Sequence, residues 1–113
     1  MHELSITESI LEISLRHAAE AEAKRITDIH LVIGKLSSIV DDSVQFYWEI
    51  VSDGTVAQGA VLHFRRVRIE ILCKACGERY HPEELDLACP ACGSRDVRIV
   101  AGEEFRMEAI EVE

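Results

Sequence analysis

The sequence predicts an α+β fold: two helices packed on a small mixed sheet, with a four-cysteine module inserted between the last strands. Three observations carry this. Apolar residues recur at helical spacing in two stretches, one near each end of the first fifty residues. Alternating or continuous β-type runs occupy 26–36, 61–72, 97–100 and 105–112. All four cysteines fall between Cys73 and Cys92 as two Cys-x-x-Cys pairs. The domain boundaries follow: 1–68 plus 104–113 form the α+β domain, and 69–103 form the cysteine-bearing domain.

The first helix is expected from Ser5 to about Lys24. Ser5-Ile6-Thr7-Glu8 fits a capping box with Ser5 as N-cap, and Ile6, Ile10, Ile13 and His17 recur on one stripe. Ile26–Leu36 reads as a strand, with Ile29, Leu31 and Ile33 alternating with Asp28, His30 and Val32. Asp41 and Asp42 are suited to cap a second helix. In it Val44, Tyr47, Trp48 and Val51 share a face, and Asp53-Gly54 ends it. Val61–Leu72 reads as one long strand. Its apolar parity changes midway, which predicts a bulge or twist near Arg65-Arg66. After Cys92, 97–100 and 105–112 read as a hairpin joined through 101–104, so the chain can pair back on the strand that leads into Cys73.

Charge narrows the function. Twenty-one acidic residues against twelve Lys and Arg give a net charge of −9. Phosphate backbones need a basic face, so nucleic acid is excluded as the expected partner. A cation or a basic protein surface fits. No stretch approaches the length of a membrane span, and Glu8 and Glu12 interrupt the apolar run that a secretory leader would need. Cysteines kept as metal-binding thiolates suit a reducing compartment, so the chain is expected in the cytoplasm.

Two Cys-x-x-Cys pairs can turn four thiolates toward one point and make a tetrahedral S₄ cage from Cys73, Cys76, Cys89 and Cys92. Gly77 and Gly93 follow the two pairs and relax the backbone there. Paired spacing reads as zinc rather than as a disulfide framework. A cage with no open position is structural rather than catalytic. The spacer 78–88 has too few apolar residues for a core of its own, so the ion is expected to hold the module together.

Met1-His2-Glu3 offers a second metal site. A retained Met1 α-amine, the His2 amide nitrogen and the His2 Nδ1 close chelate rings of low strain with three nitrogens in one plane. Glu3 can supply a fourth donor through its amide or carboxylate. Square-planar nitrogen ligation suits Ni(II) or Cu(II), and nickel is the expected ion in a cytoplasm. His17 reads as a core-edge histidine, His30 and His63 as satisfied or exposed strand residues, and His81 as a residue beside the cysteine site. No phosphate loop, nucleophile elbow or triad is present, so a carrier rather than an enzyme is expected.

Taken together, Met1-His2-Glu3 and the acidic-capped helix resemble the start of the HypA/HybF family of hydrogenase-maturation nickel metallochaperones. Leu31-Val32-Ile33-Gly34-Lys35-Leu36-Ser37, the segments Gly54-Thr55 and Gly59-Ala60-Val61-Leu62, the cysteine pairs and the acidic end Ile110–Glu113 extend that likeness over the chain. The resemblance implies one nickel held by His2 with Met1 and Glu3, and one structural zinc held by Cys73, Cys76, Cys89 and Cys92. It implies delivery of nickel to the large-subunit precursor of [NiFe]-hydrogenase, a HypB-type GTPase partner and, in some bacteria, a part in urease maturation. Ser38, where a glycine is expected, and Arg68, where a proline is common, depart from the pattern.

Two rivals share the cysteine pattern. One is a rubredoxin-like iron electron-transfer module, disfavoured by 5% aromatic residues, a short spacer and the long α/β segment ahead of it. The other is a zinc-ribbon protein-interaction module in which His2 plays no part.

Overall fold

The computed structural model describes residues 3–82 and 86–113. The element order is α1 (Glu3–Glu20), β1 (Ile26–Gly34), α2 (Asp41–Val51), β2 (Val61–Val67), β3 (Glu70–Cys73), β4 (Arg79–Tyr80), β5 (Val97–Ala101) and β6 (Phe105–Val112). These form two three-stranded sheets, ordered β2-β1-β6 and β4-β3-β5. The chain divides into two compact units: 1–32 with 38–65 and 106–113, and 33–37 with 66–105.

In the first unit, α1 begins before the expected capping box. Ser5 lies inside its first turn, exposed, and is not the N-cap. Glu3 opens the helix, an acidic residue in its first turn at the positive end of the dipole. The buried stripe is also turned from the expected one: it runs Thr7, Ile10, Ser14, Ala18, while Ile13 and His17 face outward. Three of these four residues are small, and α1 packs on α2. The buried Thr7 hydroxyl donates to the Glu3 carbonyl, and Ser14 Oγ donates to Met107 Sδ at 3.3 Å.

Helix α1 ends in a Schellman motif. Ala23 N–H donates to Ala18 O at 2.9 Å and Glu22 N–H to Ala19 O at 3.1 Å. Glu22 takes the left-handed position there, at φ 54°.

Strand β1 is central in its sheet, which explains why Ile26, Ile29, Leu31 and Val32 are all at most 1% exposed. Helix α2 buries Val44 and Trp48 as its apolar spacing predicts. Its N-cap is Val40, with no side-chain cap; Asp41 and Asp42 instead occupy the first turn, where they complement the dipole. Ser52 closes the other end, with both its N–H and its hydroxyl donating to Trp48 O. Trp48 Nε1 is the one buried side-chain polar atom without a hydrogen-bond partner among the described residues.

The long strand expected over 61–72 is broken at Arg68-Ile69, and its halves belong to different sheets. The parity change seen in the sequence is thus a break between strands rather than a bulge within one. The expected hairpin of 97–100 with 105–112 does not form either: β5 pairs with β3, and β6 joins β1. The turn between β5 and β6 is claimed by the end of β1. Leu36 N–H donates to Gly102 O at 2.7 Å, and Gly34 N–H to Glu104 O at 2.7 Å. The return of the chain onto its entry strand is present as the antiparallel β3–β5 pairing, from Cys73 opposite Val97 to Glu70 opposite Ala101.

Candidate metal centre

The site is assembled by two copies of one local fold. At the end of β3, Gly77 N–H donates to Cys73 O at 2.8 Å and Cys73 N–H to Glu78 O at 2.9 Å. In the second copy, Gly93 N–H donates to Cys89 O at 2.8 Å and Cys89 N–H to Ser94 O at 2.9 Å. Each turn needs a left-handed residue at its fifth position, and Gly77 and Gly93 supply it at φ 81° and 77°. The first cysteine of each pair is buried and the second exposed.

The four Sγ atoms lie within 4.8 Å of one another. Cys73 and Cys92 are 3.6 Å apart, as are Cys76 and Cys89. A tetrahedron with metal–sulfur bonds of about 2.3 Å has edges of about 3.8 Å, so the donor set fits a zinc-sized tetrahedral ion. All four cysteines are free of disulfides.

Electrostatics favour a cation among them. Burial opposes ionisation of Cys89, but the N–H groups of Cys92 and Ala91 and the neighbouring thiols outweigh it and bring the thiol down to about 7. At Cys76 the Glu78 N–H favours the thiolate. Hydrogen bonding with Cys89, burial and the other two sulfurs oppose it and push the thiol up to about 12. The hydrogen bonds within the cluster thus favour the thiolate at Cys89 and oppose it at Cys76. A dication held among the sulfurs would favour the thiolate at all four. Burial, then the charges of Cys89 and Cys73, raise the Tyr80 phenol. Its hydroxyl donates to Leu87 O and ties the two sides of the spacer together.

Among the described residues, this is the one group of three or more potential ligand side chains that converges as a metal site. His81, expected beside it, has its Nδ1 3.1 Å from Ile69 O instead. His17 lies exposed, its Nδ1 3.8 Å from Glu20 Oε2. Met1 and His2 of the expected nickel site lie outside the described residues. Glu3, their neighbour, is half-buried, and its carboxyl is held below the usual range chiefly by its own backbone N–H, with help from that of Val40. Sequence reasoning passed over Glu78 and Ser94, whose carbonyls fix the two cysteine turns. The signal was their matching place, each directly after the glycine that closes its turn.

A family profile described as "Hydrogenase/urease nickel incorporation, metallochaperone, hypA" matches residues 1–112. A hydrogenase maturation factor HypA of Dehalococcoides mccartyi strain 195 is 42% identical over 113 residues, covering 100% of this chain and 95% of the relative. The factor of the same name from Caldanaerobacter subterraneus subsp. tengcongensis is 40% identical, with full coverage of both chains. Two solution structures share the fold at 28% identity. The Ni metallochaperone HypA from Helicobacter pylori has a TM-score of 0.69 over 99% of this chain and 97% of its own. A second HypA protein has a TM-score of 0.77 over 100% and 97%. With two helices, small sheets and four converging cysteines, the chain belongs to the HypA family of hydrogenase/urease nickel-incorporation metallochaperones.

Proposed function

We propose that this chain carries one Ni(II) at its N-terminus and passes it to the large-subunit precursor of [NiFe]-hydrogenase, in the cytoplasm, with a HypB-type GTPase as partner. The nickel ligands are the Met1 α-amine, the His2 amide nitrogen and Nδ1, and a donor from Glu3. In this reading 1–68 plus 104–113 is the nickel-binding domain and 69–103 the zinc-binding domain. The carrying observation is the family match, which spans residues 1–112 and so takes in Met1-His2-Glu3. Relatives of the chain bear the name hydrogenase maturation factor. Urease maturation is a second destination that the family description supports.

Cys73, Cys76, Cys89 and Cys92 hold a structural Zn(II), which supplies folding free energy on the order of 10–16 kcal/mol in small modules of this kind. The chain's own contribution is the pair of glycine-closed turns that present the sulfurs at tetrahedral spacing. The protein acts as a carrier and performs no covalent chemistry. Release is built into a ligand set local in sequence: lifting a few residues opens the chelate, and protons compete for the imidazole as pH falls.

The test is a Ni(II) titration of the native chain beside one extended by Gly-Ser ahead of Met1. The expected result is one tight nickel on the native chain and its loss on extension, with zinc content unchanged. Equal binding by both chains overturns the terminal site.

A further inference from the structure

Strand β6 is the last member of the sheet ordered β2-β1-β6, so one of its long edges has no strand partner in that sheet. It runs 8 residues, Phe105–Val112, without a proline. Such an edge presents a row of backbone N–H and C=O groups with which another extended segment can pair. A groove of about 390 Å³ lies beside it, lined by residues 107–110 and Val112 of β6 and by His17 and Ala21 at the end of α1. Neighbouring side chains of a strand point to opposite faces, so a groove touching four consecutive residues meets backbone as well as side chains. Met107 faces α1, where its sulfur accepts from Ser14. His17 and Ala21, one helical turn apart, are exposed, as are Ala109 and Val112 across from them. The helix therefore forms one wall of the groove and leaves the strand open.

The lining is mostly apolar and its surroundings are acidic. Residues 103–113 hold five glutamates against one arginine, and Glu20 and Glu22 flank Ala21. Glu108, the one carboxylate in the lining, has 47% of its side chain exposed and lies 3.3 Å from Arg65. That pair is exposed on both sides and contributes little, so a second cation can join or replace Arg65 at small cost. A second copy of the chain would set these glutamates against their own kind, and like charges across a strand pair are destabilising. The other edge of the sheet, β2, carries His63, Arg65 and Arg66 instead, and the groove beside it reaches only Val61 and Leu62 of that strand.

We propose that the open edge of β6 is a docking site for an extended, basic segment of another protein. The segment adds to the sheet as a fourth strand, its alternate apolar side chains entering the groove and its lysines or arginines meeting Glu108 and the neighbouring glutamates. The site uses neither the cysteine cluster nor Met1-His2-Glu3.

The test uses the full chain, zinc-loaded at its cysteines and free of nickel, so its outcome is separate from the terminal nickel reading. The probe is a capped peptide of alternating valine and lysine matched to β6 in length, with a valine–glutamate peptide as counterpart. Binding and amide exchange are followed by NMR. The lysine peptide is expected to shift and protect amides of β6 together with that of Ala21, and to bind at least about tenfold more tightly than its counterpart. Ala21→Arg, at an exposed position, fills the groove and is expected to weaken the lysine peptide at least about tenfold; Glu108→Lys should do the same without filling it. Phe46→Ser, on the outward side of α2, should leave its affinity unchanged. No response of β6 up to about 1 mM peptide, equal affinity for the two peptides, or shifts centred on α2 overturns the proposal. Sedimentation showing a dimer that Ala21→Arg dissociates also overturns it, by assigning the edge to a second copy.

Discussion

Replacing Gly34 by alanine tests the packing at the end of β1. A Cβ on Gly34 would stand 2.1 Å from Gly102 O, 2.2 Å from Gly102 C and 2.6 Å from Glu103 N. All three are backbone atoms, so no side chain can swing aside. The 102–104 segment must move as a body. That motion breaks two 2.7 Å hydrogen bonds, Leu36 N–H to Gly102 O and Gly34 N–H to Glu104 O. Each is worth about 1 kcal/mol net. Forcing extra atoms into close-packed structure adds about 1–3 kcal/mol. The expected destabilisation of Gly34→Ala is therefore about 3–5 kcal/mol, read by urea unfolding of the zinc-loaded chain with far-UV circular dichroism. With a slope of about 1–3 kcal/mol per molar urea, the midpoint falls by at least about 1 M. Strand propensity alone has the opposite sign, because glycine in a strand costs about 0.5–1 kcal/mol relative to alanine. A loss under about 1 kcal/mol, or any gain, refutes the steric argument.

Three further predictions follow from particular residues. Glu22→Gly relieves the left-handed strain at the end of α1 and is expected to stabilise the chain by about 1 kcal/mol; a lower melting temperature counts against the Schellman assignment. Asp28 is held below the usual carboxylate range first by its hydrogen bond with His63, so its contribution is present above the unfolded value near ~3.9 and fades as pH falls through its lower folded value. The stability gap between the wild-type chain and Asp28→Asn should therefore close below about pH 4; a gap constant from pH 6 to 2 contradicts this. Stripping metal with a chelator should speed amide exchange at Cys73 and Gly77, whose N–H groups are fixed by the cysteine turns, and unchanged protection there would show that the turns hold without an ion.

Much of this architecture was legible because its signals are local. The cysteine spacing and the glycine after each pair specify a turn with no reference to the rest of the chain. The i, i+4 pair Val44 and Trp48 likewise announced the buried side of α2. The stripe of α1 was misread because apolar periodicity favours Ile6 and Ile13. The structure instead buries Thr7, Ser14 and Ala18, small residues whose two hydroxyls find partners in the Glu3 carbonyl and Met107 Sδ. The break at Arg68-Ile69 was sensed as a parity change but not located, since parity alone cannot distinguish a bulge from a change of sheet. The hairpin was misassigned because nothing within 97–112 reports that Gly34, far back in the chain, accepts Gly102 against its bare Cα. Met1-His2-Glu3 was read only as coordination chemistry, and Met1 and His2 lie outside the described residues.

The interleaving of the two units has a kinetic consequence. Strand β6 completes the sheet of β1 and β2, yet residues 68–104 separate β2 from β6 along the chain. That sheet cannot close until β6 has left the ribosome, and the intervening loop must be gathered first. Loop closure carries an entropic cost that rises as about (3/2)RT ln n. An ion linking Cys73 to Cys92 short-circuits the middle of this loop and brings Glu70 and Ala101 together before β6 has to find β1. Supply of the ion that the cysteines hold would then govern how quickly a newly made chain matures, as well as how stable it is once folded.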